Sequence, residues 1–489
     1  MQGGPMGQKL RVLFVASEGV PFAKTGGLAD IVGTLPQALE ELGVEVKVLM
    51  PYYGMVKQGK APTTLIAEDL EVNLGLINHT FNLMAPADQG SPFYFVERDE
   101  FYERSQLYGT PRGDYFDNLE RFAFFSGAVL PFCRALDFHP DLIHCHDWQS
   151  ALAPVYLRHR WAGEDILAGA KTVFTIHNLA YQGLFPRDQY PLLGLDWSFF
   201  SIDGLEYYGQ INLLKGGIVS ADAVTTVSPR YSAEIQTPEF GYGLEGVLKS
   251  RAEQLHGILN GVDYQDWSPE TDSLIPAKFS RKDLKGKAAN KAALMEAFGL
   301  SQDLADAPIL AIISRLADQK GFDLVEQVLP QLMKQKLMVV ILGTGEEKYH
   351  RWLEAEAPKY KGKLGVKIAF DNKLAHLMEA GADMFLMPSR YEPCGLNQIY
   401  SMKYGAIPIV RATGGLADTV TPVGDPSAPG TGFVFTDYTP EAFLKAIHTS
   451  LDAFANQDLW RRIMVHAMSQ DFSWKVSARK YLELYKSLV

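Results

Sequence analysis

The chain has 489 residues, which at ~150 residues per domain asks for two or three domains rather than one. Hydrophobic residues make up 47% and charged residues 21%, the balance of a globular protein and not of a disordered one. With 46 basic against 57 acidic side chains the net charge is −11. That excludes nucleic acid and anionic membrane as main partners and leaves any anionic substrate to a local basic cluster. Three cysteines, Cys133, Cys145 and Cys394, exclude a disulfide framework and fit a reducing, cytoplasmic compartment. The opening Met1 to Pro5 reads as a loose end. The apolar run 12–16, broken by Glu18, is too short for a secretory or membrane-spanning segment.

Short apolar, β-branched runs predict strands at 10–16, 44–50, 142–144, 172–176 and 223–227, then at 309–314, 337–342, 366–370, 384–387 and 407–410. Helical patterns lie between them, among others at 27–42, 149–161, 324–333 and 395–404. Continuous apolar strands separated by helices predict an α/β fold with parallel sheets covered on both faces. Strand signals stop over 263–307, where the charged run 281–287 precedes one helix at 288–298. A domain boundary is therefore expected near Asn260-Gly261, with 263–280 as a surface excursion. The final helix, 474–489, has no strand after it and is free to join either domain.

In doubly wound sheets ligands sit beyond the carboxyl ends of the strands, so polar residues directly after a strand carry most weight. Lys24 with Gly26-Gly27, His146-Asp147, His177-Asn178, Arg315 with Lys320, Glu392 and Gly414-Gly415 meet that condition, and they come from both halves. Thr25-Gly26-Gly27-Leu28-Ala29-Asp30 recurs as Thr413-Gly414-Gly415-Leu416-Ala417-Asp418, each copy at a helix start. Convergence on good turn chemistry accounts for this as well as duplication does. A glycine pair there either turns backbone N–H groups toward an anion, with Lys24 on the same anion, or only makes a tight turn. Gly343-Thr344-Gly345 begins a dinucleotide fingerprint but lacks its third glycine.

Arg315 and Lys320 would converge on a diphosphate and offset the charge of a leaving group. The alternative pairs Arg315 with Asp318 and leaves Lys320 in solvent. His144 and His146 share a strand face and allow a metal reading, although no second ligand cluster accompanies them. The other reading has His146 bonding a sugar hydroxyl, with Asp147 capping the next helix. Glu392 would accept hydrogen bonds from sugar or ribose hydroxyls, or cap a helix start. The aromatics at 93–101 and Tyr207-Tyr208 are either sugar platforms or packing.

Lys24-Thr25-Gly26-Gly27-Leu28-Ala29-Asp30, His146-Asp147-Trp148, Asn260-Gly261-Val262-Asp263, Ser314-Arg315-Leu316 with Lys320-Gly321, the run Pro388 to Leu396 and the run Thr413 to Asp418 stand in that order. Together they resemble the signatures of bacterial glycogen synthases and plant starch synthases. The resemblance implies a GT-B fold, two Rossmann-like doubly wound domains facing each other across a deep cleft. The domains would span 1–259 and 260–469, with the helix 470–489 returned to the first.

The resemblance also implies retaining transfer of glucose from ADP-glucose to the non-reducing end of an α-1,4-glucan. No metal and no cofactor are implied. The partners would be a nucleotide sugar and glycogen or another α-1,4-glucan, in the cytoplasm or, for a mature plant-type form, the plastid stroma. Carried over by motif, Lys24, Gly26, Gly27, Gly395, Leu396, Thr413, Gly414 and Gly415 would contact the donor. Arg315 and Lys320 would hold its diphosphate, and His146 and Glu392 the transferred glucose. Asp30, Asp117, Asn118 and Asn260 would lie on the acceptor or sugar side. The leaving phosphate itself would take the acceptor hydroxyl's proton on the same face. The rivals are a GT-B transferase using UDP-glucose or a small acceptor, and a non-catalytic glucan-binding protein, which would be expected to lose Arg315, Lys320 or Glu392.

Overall fold

The computed structural model describes residues 9–59, 61–88, 90–110, 112–424 and 429–489, so Met1 to Pro5 lies outside it. The chain divides into two compact units. The first comprises Met1–Val227, Ser232–Gly261 and Trp474–Val489, and the second Ser228–Tyr231 and Val262–Ser473.

In the first unit, β1 (Arg11–Val15), β2 (Glu45–Pro51), β3 (Thr63–Leu74), β4 (Ile77–Pro86), β5 (Phe93–Glu97), β6 (Leu142–His146), β7 (Lys171–Ile176), β8 (Ala223–Thr226) and β9 (Leu255–Gly257) form one sheet. Its order is β9-β8-β7-β6-β1-β2-β5-β4-β3. Seven strands run parallel, as their continuous apolar runs require. The sheet is not parallel throughout, however, because β4 runs antiparallel to both β3 and β5. The hairpin between β3 and β4 turns at Gly75, whose φ of +57° suits glycine. Along β3 only Val72 and Leu74 are buried, alternating with exposed Glu71 and Asn73. That period-two pattern differs from the continuous runs by which the other strands are recognised. Phe93, Phe95 and Phe101 are buried, so the 93–101 aromatics are packing.

Helix α1 (Gly27–Glu40) buries Leu28, Ile31, Val32, Leu35 and Leu39, a single stripe at helical spacing. The Trp474–Leu488 helix completes this unit. Ser477 Oγ donates to the Leu259 carbonyl at 2.6 Å, and the Tyr485 hydroxyl meets His144 Nδ1 on β6 at 2.6 Å.

In the second unit, β10 (Ile309–Ile313), β11 (Met338–Gly343), β12 (Leu364–Ile368), β13 (Met384–Met387), β14 (Ile407–Arg411) and β15 (Phe433–Phe435) make an all-parallel sheet in the order β12-β11-β10-β13-β14-β15. Three helices bear on the site: α2 (Phe322–Leu332), α3 (Asn397–Lys403) and α4 (Gly414–Thr419). The segment 263–280 is not wholly the surface excursion expected. Ile275 and Phe279 are buried against Tyr404 and Met468. The Asp272 carboxylate holds His376 Nδ1 at 2.8 Å and the Tyr404 hydroxyl at 2.6 Å.

In each sheet the strand order reverses beside the first strand. The chain leaves β1 for β2 and returns on its other side as β6; it leaves β10 for β11 and β12 and returns as β13. Those reversals are where ligands enter such sheets.

Tyr485→Phe removes the hydroxyl from a fully buried His144 nitrogen and should cost about 1–3 kcal/mol in chemical denaturation. In a His144→Phe background the same change should cost much less; equal costs in both backgrounds would show that the bond contributes nothing.

Candidate functional site

Three residues past β1, Glu18 turns its buried carboxylate onto the start of α1. It accepts the Thr25 N–H at 2.6 Å, the Thr25 hydroxyl at 2.5 Å, the Gly26 N–H at 3.2 Å and the Tyr108 hydroxyl at 2.7 Å. Of the glycine-pair N–H groups expected to face a bound anion, that of Gly26 is thus already taken by an internal one. The first-turn N–H groups from Gly27 onward follow it. A Cβ at Gly26 or Gly27 would meet nothing within 4 Å, so the space over this helix start is open. Lys24 Nζ lies 2.6 Å from Asp30 Oδ1. Burial pushes the Asp30 carboxyl up, against the pull of Lys24.

The register of β6 with β7 sets His146 opposite Thr175, which makes His177 its diagonal neighbour. His146 Nδ1 is 3.0 Å from His177 Nε2. His144 stands on the same face, its ring centroid 4.2 Å from that of His146. Both nitrogens of His144 are spent, on Tyr485 and on Thr175 Oγ1, each at 2.6 Å. The metal reading of His144 and His146 therefore fails on available lone pairs. Among the described residues no three His, Cys, Asp or Glu side chains cluster to hold an ion. Burial holds His144 and His146 well below the usual histidine range and His177 down to about 3, so all three rings are neutral.

Asp147 does not cap the following helix, as its place suggested. Its carboxylate instead accepts the His177 N–H at 2.8 Å. Burial pushes that carboxyl up to about 7, with the backbone N–H groups of His177 and Asn178 opposing. Its φ of +55° places a non-glycine in the left-handed region, a strain of ~1–3 kcal/mol that persists only where neighbours enforce it. The His177 bond and the Asp147 N–H to Thr175 O at 2.9 Å do so.

Asp117 and Asn118, expected on the acceptor or sugar side, both have their side chains engaged by neighbours. Asp117 forms a two-pronged pair with Arg104 at 2.8 and 2.6 Å. Asn118 is buried, donating to the Tyr108 carbonyl at 2.9 Å and accepting from Arg121 at 2.6 Å. Both brace the segment that carries Tyr108. A cavity of about 300 Å³ lies between that segment and Thr25, lined also by Met55, Gln106, Tyr108 and Asp114. Asn260 is buried, and its Oδ1 has no partner among the described residues.

In the second unit, exposed Arg315 follows β10 and donates from Nη2 to Gln319 Oε1 at 2.9 Å. Asp318 is engaged by Lys348 at 2.7 Å and by the Tyr349 hydroxyl. Lys320 is not solvated: its Nζ lies 2.8 and 2.6 Å from the two oxygens of buried Glu392, beyond β13. Ser389 Oγ donates to the same carboxylate at 2.9 Å, so Glu392 holds a cation and does not cap a helix. The Gln319 carbonyl accepts the Arg390 N–H at 2.9 Å. The turn Asp318–Lys320 and the loop 388–396 are thereby joined beyond adjacent strands.

Gly395 adopts φ +70°, a conformation that strains any other residue, and a Cβ there would lie 2.5 Å from Gln398 Oε1. Leu396 is half-buried and precedes α3. Thr413 is buried at the start of α4. A Cβ on Gly414 would lie 1.9 Å from the Glu392 carbonyl, and one on Gly415 2.0 Å from that of Cys394. The Gly415 N–H donates to the Glu392 carbonyl at 3.1 Å. The second glycine pair therefore packs beneath the Glu392 loop, and the Gly415 N–H does not face a diphosphate as expected. Phe370, expected to end a strand, lies two residues beyond β12 and is 85% exposed.

Sequence reasoning passed over Glu18, Tyr108, Gln319 and Ser389. Glu18 satisfies the strand-end rule as well as Lys24 does; Tyr108 sits in irregular chain with no such signal. Gly415→Ala should cost several kcal/mol in chemical denaturation, whereas Gly26→Ala should leave the unfolding midpoint within the range of surface changes, about ±0.5 kcal/mol. Equal tolerance at both positions would contradict the two environments.

Residues 11–250 match the family model for the starch synthase catalytic domain, and residues 301–457 that for glycosyl transferases group 1. The chain is 48% identical over 481 residues to the glycogen synthase of Koribacter versatilis, covering 98% of each protein. It is likewise 48% identical over 486 residues to that of Geotalea uraniireducens, again covering 98% of each. Its structure is similar to the catalytic domain of starch synthase IV from Arabidopsis thaliana bound to ADP and acarbose. That likeness has a TM-score of 0.91 and 33% identity, over 98% of this chain and 99% of the other. The sucrose-phosphate synthase of Thermosynechococcus elongatus shares the fold alone, at TM-score 0.61 and 17% identity, over 98% and 99% of the two chains.

Proposed function

This chain belongs to the glycogen synthase and starch synthase family of GT-B glycosyltransferases, and from that premise we propose that it transfers glucose from ADP-glucose to the non-reducing end of an α-1,4-glucan with retention. The observation that carries the reading is the group Arg315, Gln319, Lys320 and Glu392 beyond β10 and β13, two cations held where a doubly wound sheet takes its ligand. The Arg315 fork and the Lys320 ammonium would grip the donor diphosphate and take up the charge that leaves with ADP. Lysine has three donors; the two short contacts to Glu392 leave one for phosphate.

In the first unit Lys24, at the open start of α1, would contact a nucleotide-sugar phosphate; in the second, Gly395, Leu396, Thr413 and Gly414 would shape the donor pocket. Phe370 offers an exposed face on which a nucleobase can stack. The acceptor glucan would enter the cavity between Thr25 and Tyr108, with Asp30 and Asn260 near the sugars. Glu18, Asp147 and Glu392 are each held by hydrogen-bond donors, which weakens a carboxylate as a nucleophile. That supports a same-face displacement in which the leaving phosphate takes the acceptor hydroxyl's proton. The ADP bound to the similar starch synthase IV supports the adenine donor.

Glycogen-dependent release of ADP from ADP-glucose, unaffected by EDTA and exceeding release of UDP from UDP-glucose, is the expected result. Release from UDP-glucose alone would overturn the donor. Arg315→Ala should lower kcat by about 10²–10³ with the unfolding midpoint unchanged. Lys320→Ala should lower both, because it strands the buried Glu392 charge at a cost of about 3–5 kcal/mol.

A further inference from the structure

We propose that the ring of Tyr208 is a platform for one glucose unit of an α-1,4-glucan, a binding contact separate from the site at the strand ends. The functional reading above supplies the ligand class; the platform holds the polymer and takes no part in the transfer.

Three short strands of the first unit, Leu184–Pro186, Glu206–Tyr207 and Gln210–Asn212, make an antiparallel ribbon with Gln210–Asn212 in the middle. Tyr208 and Gly209 form a two-residue turn in it, at φ +48° and +78°. Positive φ at both positions asks for Asn-Gly or Asp-Gly, because a bulky side chain is strained there. Of the five non-glycine residues at positive φ among the described residues, three are aspartates, which tolerate it, and two are Tyr208 and Tyr242.

Packing gives no reason for a tyrosine at the turn, since Tyr208 is 85% exposed. Strain that folding does not require collects at ligand clamps, where the surroundings enforce it. Here Glu206 Oε1 accepts the Gly209 N–H at 2.7 Å and closes the turn. The Tyr207 ring meets that of Tyr208 edge to face, at a centroid distance of 4.7 Å and 84°. Tyr207 is half-buried and tied down, its hydroxyl donating to the Tyr242 carbonyl at 2.9 Å. An exposed ring therefore stands on a fixed stem.

The register puts Pro186, Gln210 and Tyr207 in one row across the ribbon, on the face that also carries Leu184. Leu184, Pro186 and Gln210 are exposed. Aromatic and aliphatic carbon with an amide beside it suits a pyranose, which shows C–H groups on its flat side and hydroxyls at its rim. The local charge is acidic. Asp203 and Glu206 both act on Lys215, whose ammonium is spent on the carbonyls of Ile202 and Glu206 at 2.5 and 2.6 Å. That disfavours phosphorylated ligands, nucleic acid and anionic lipid and leaves a neutral sugar. One aromatic stack is worth about two- to tenfold in affinity, too little to hold a free sugar. A glucan carries many glucose units, so the contact becomes intramolecular once a chain is engaged elsewhere.

The test is affinity electrophoresis of the full chain in native gels with and without soluble glycogen. Tyr208→Asn gives the turn its preferred residue, and Tyr208→Trp keeps an aromatic face. Tyr208→Asn should weaken retention by glycogen at least about threefold, while Tyr208→Trp stays within about twofold of wild type. Tyr208→Asn should also raise the unfolding midpoint by roughly 1–3 °C and leave kcat and KM for ADP-glucose unchanged with maltotriose as acceptor. Equal retention of Tyr208→Asn and wild type overturns the proposal, as does an equal loss in the Asn and Trp variants. A lower unfolding midpoint in Tyr208→Asn would make the ring a packing residue, and a parallel loss of turnover on maltotriose would put it in the reaction site; either result also overturns it. Retention that depends on Tyr208 in a chain that transfers no glucose would support the platform and count against the functional reading alone.

Discussion

The order of a parallel sheet reverses only where two neighbouring strands send their connections in opposite directions, and each sheet here does so once, between β1 and β6 and between β10 and β13. At such a point the loops part, and the backbone and side chains at the strand ends are left facing a gap. Glu18, Lys24 and the first glycine pair follow one strand of the first reversal, and His146 and Asp147 follow the other. Arg315 and Lys320 follow one strand of the second, and Glu392 the other. The chemistry is distributed by topology before any side chain is chosen.

Strand ends are poor places for charge, because they combine burial with incomplete pairing. The chain meets this at three strand-end carboxylates by committing each to named donors. Glu18 takes a helix start and a tyrosine, Asp147 a neighbouring backbone, and Glu392 a lysine and a serine. Such a pair as Lys320 with Glu392 is weak evidence for stability, since well-packed apolar residues often do as well in its place. What it supplies is position. The two copies of Thr-Gly-Gly-Leu-Ala-Asp show how far position depends on surroundings, one opening onto empty space and the other closed against the carbonyls of Glu392 and Cys394.

The core strands of both sheets were legible because fully buried parallel strands read as unbroken apolar runs. The hairpin of β3 and β4 was not, because Val72 and Leu74 alternate with polar residues on a half-exposed edge. At the candidate site, the strand-end rule found Lys24, His146, Arg315, Lys320 and Glu392 as residues without showing their partners. The contact of His146 with His177 depends on a register across two strands 31 residues apart, and that of Lys320 with Glu392 spans 72. The partners of Asp117 and Asn118 were hidden for a related reason. Their polarity is spent on Arg104, Arg121 and the Tyr108 carbonyl, which no local pattern reveals.

Residues 474–488 are translated only after the whole of the second unit, yet they place Tyr485 against His144 on β6. During synthesis, therefore, the first unit waits with a vacant flank over its histidine strand while the second, almost continuous from 262 to 473, has all its own strands to hand. The usual order, in which the N-terminal domain is finished first as it leaves the ribosome, is not open to a unit whose last helix is made after the second unit. A chain interrupted anywhere in its second half carries an unsealed first unit, and His144 gains its Tyr485 bond only when the polypeptide has returned to where it began.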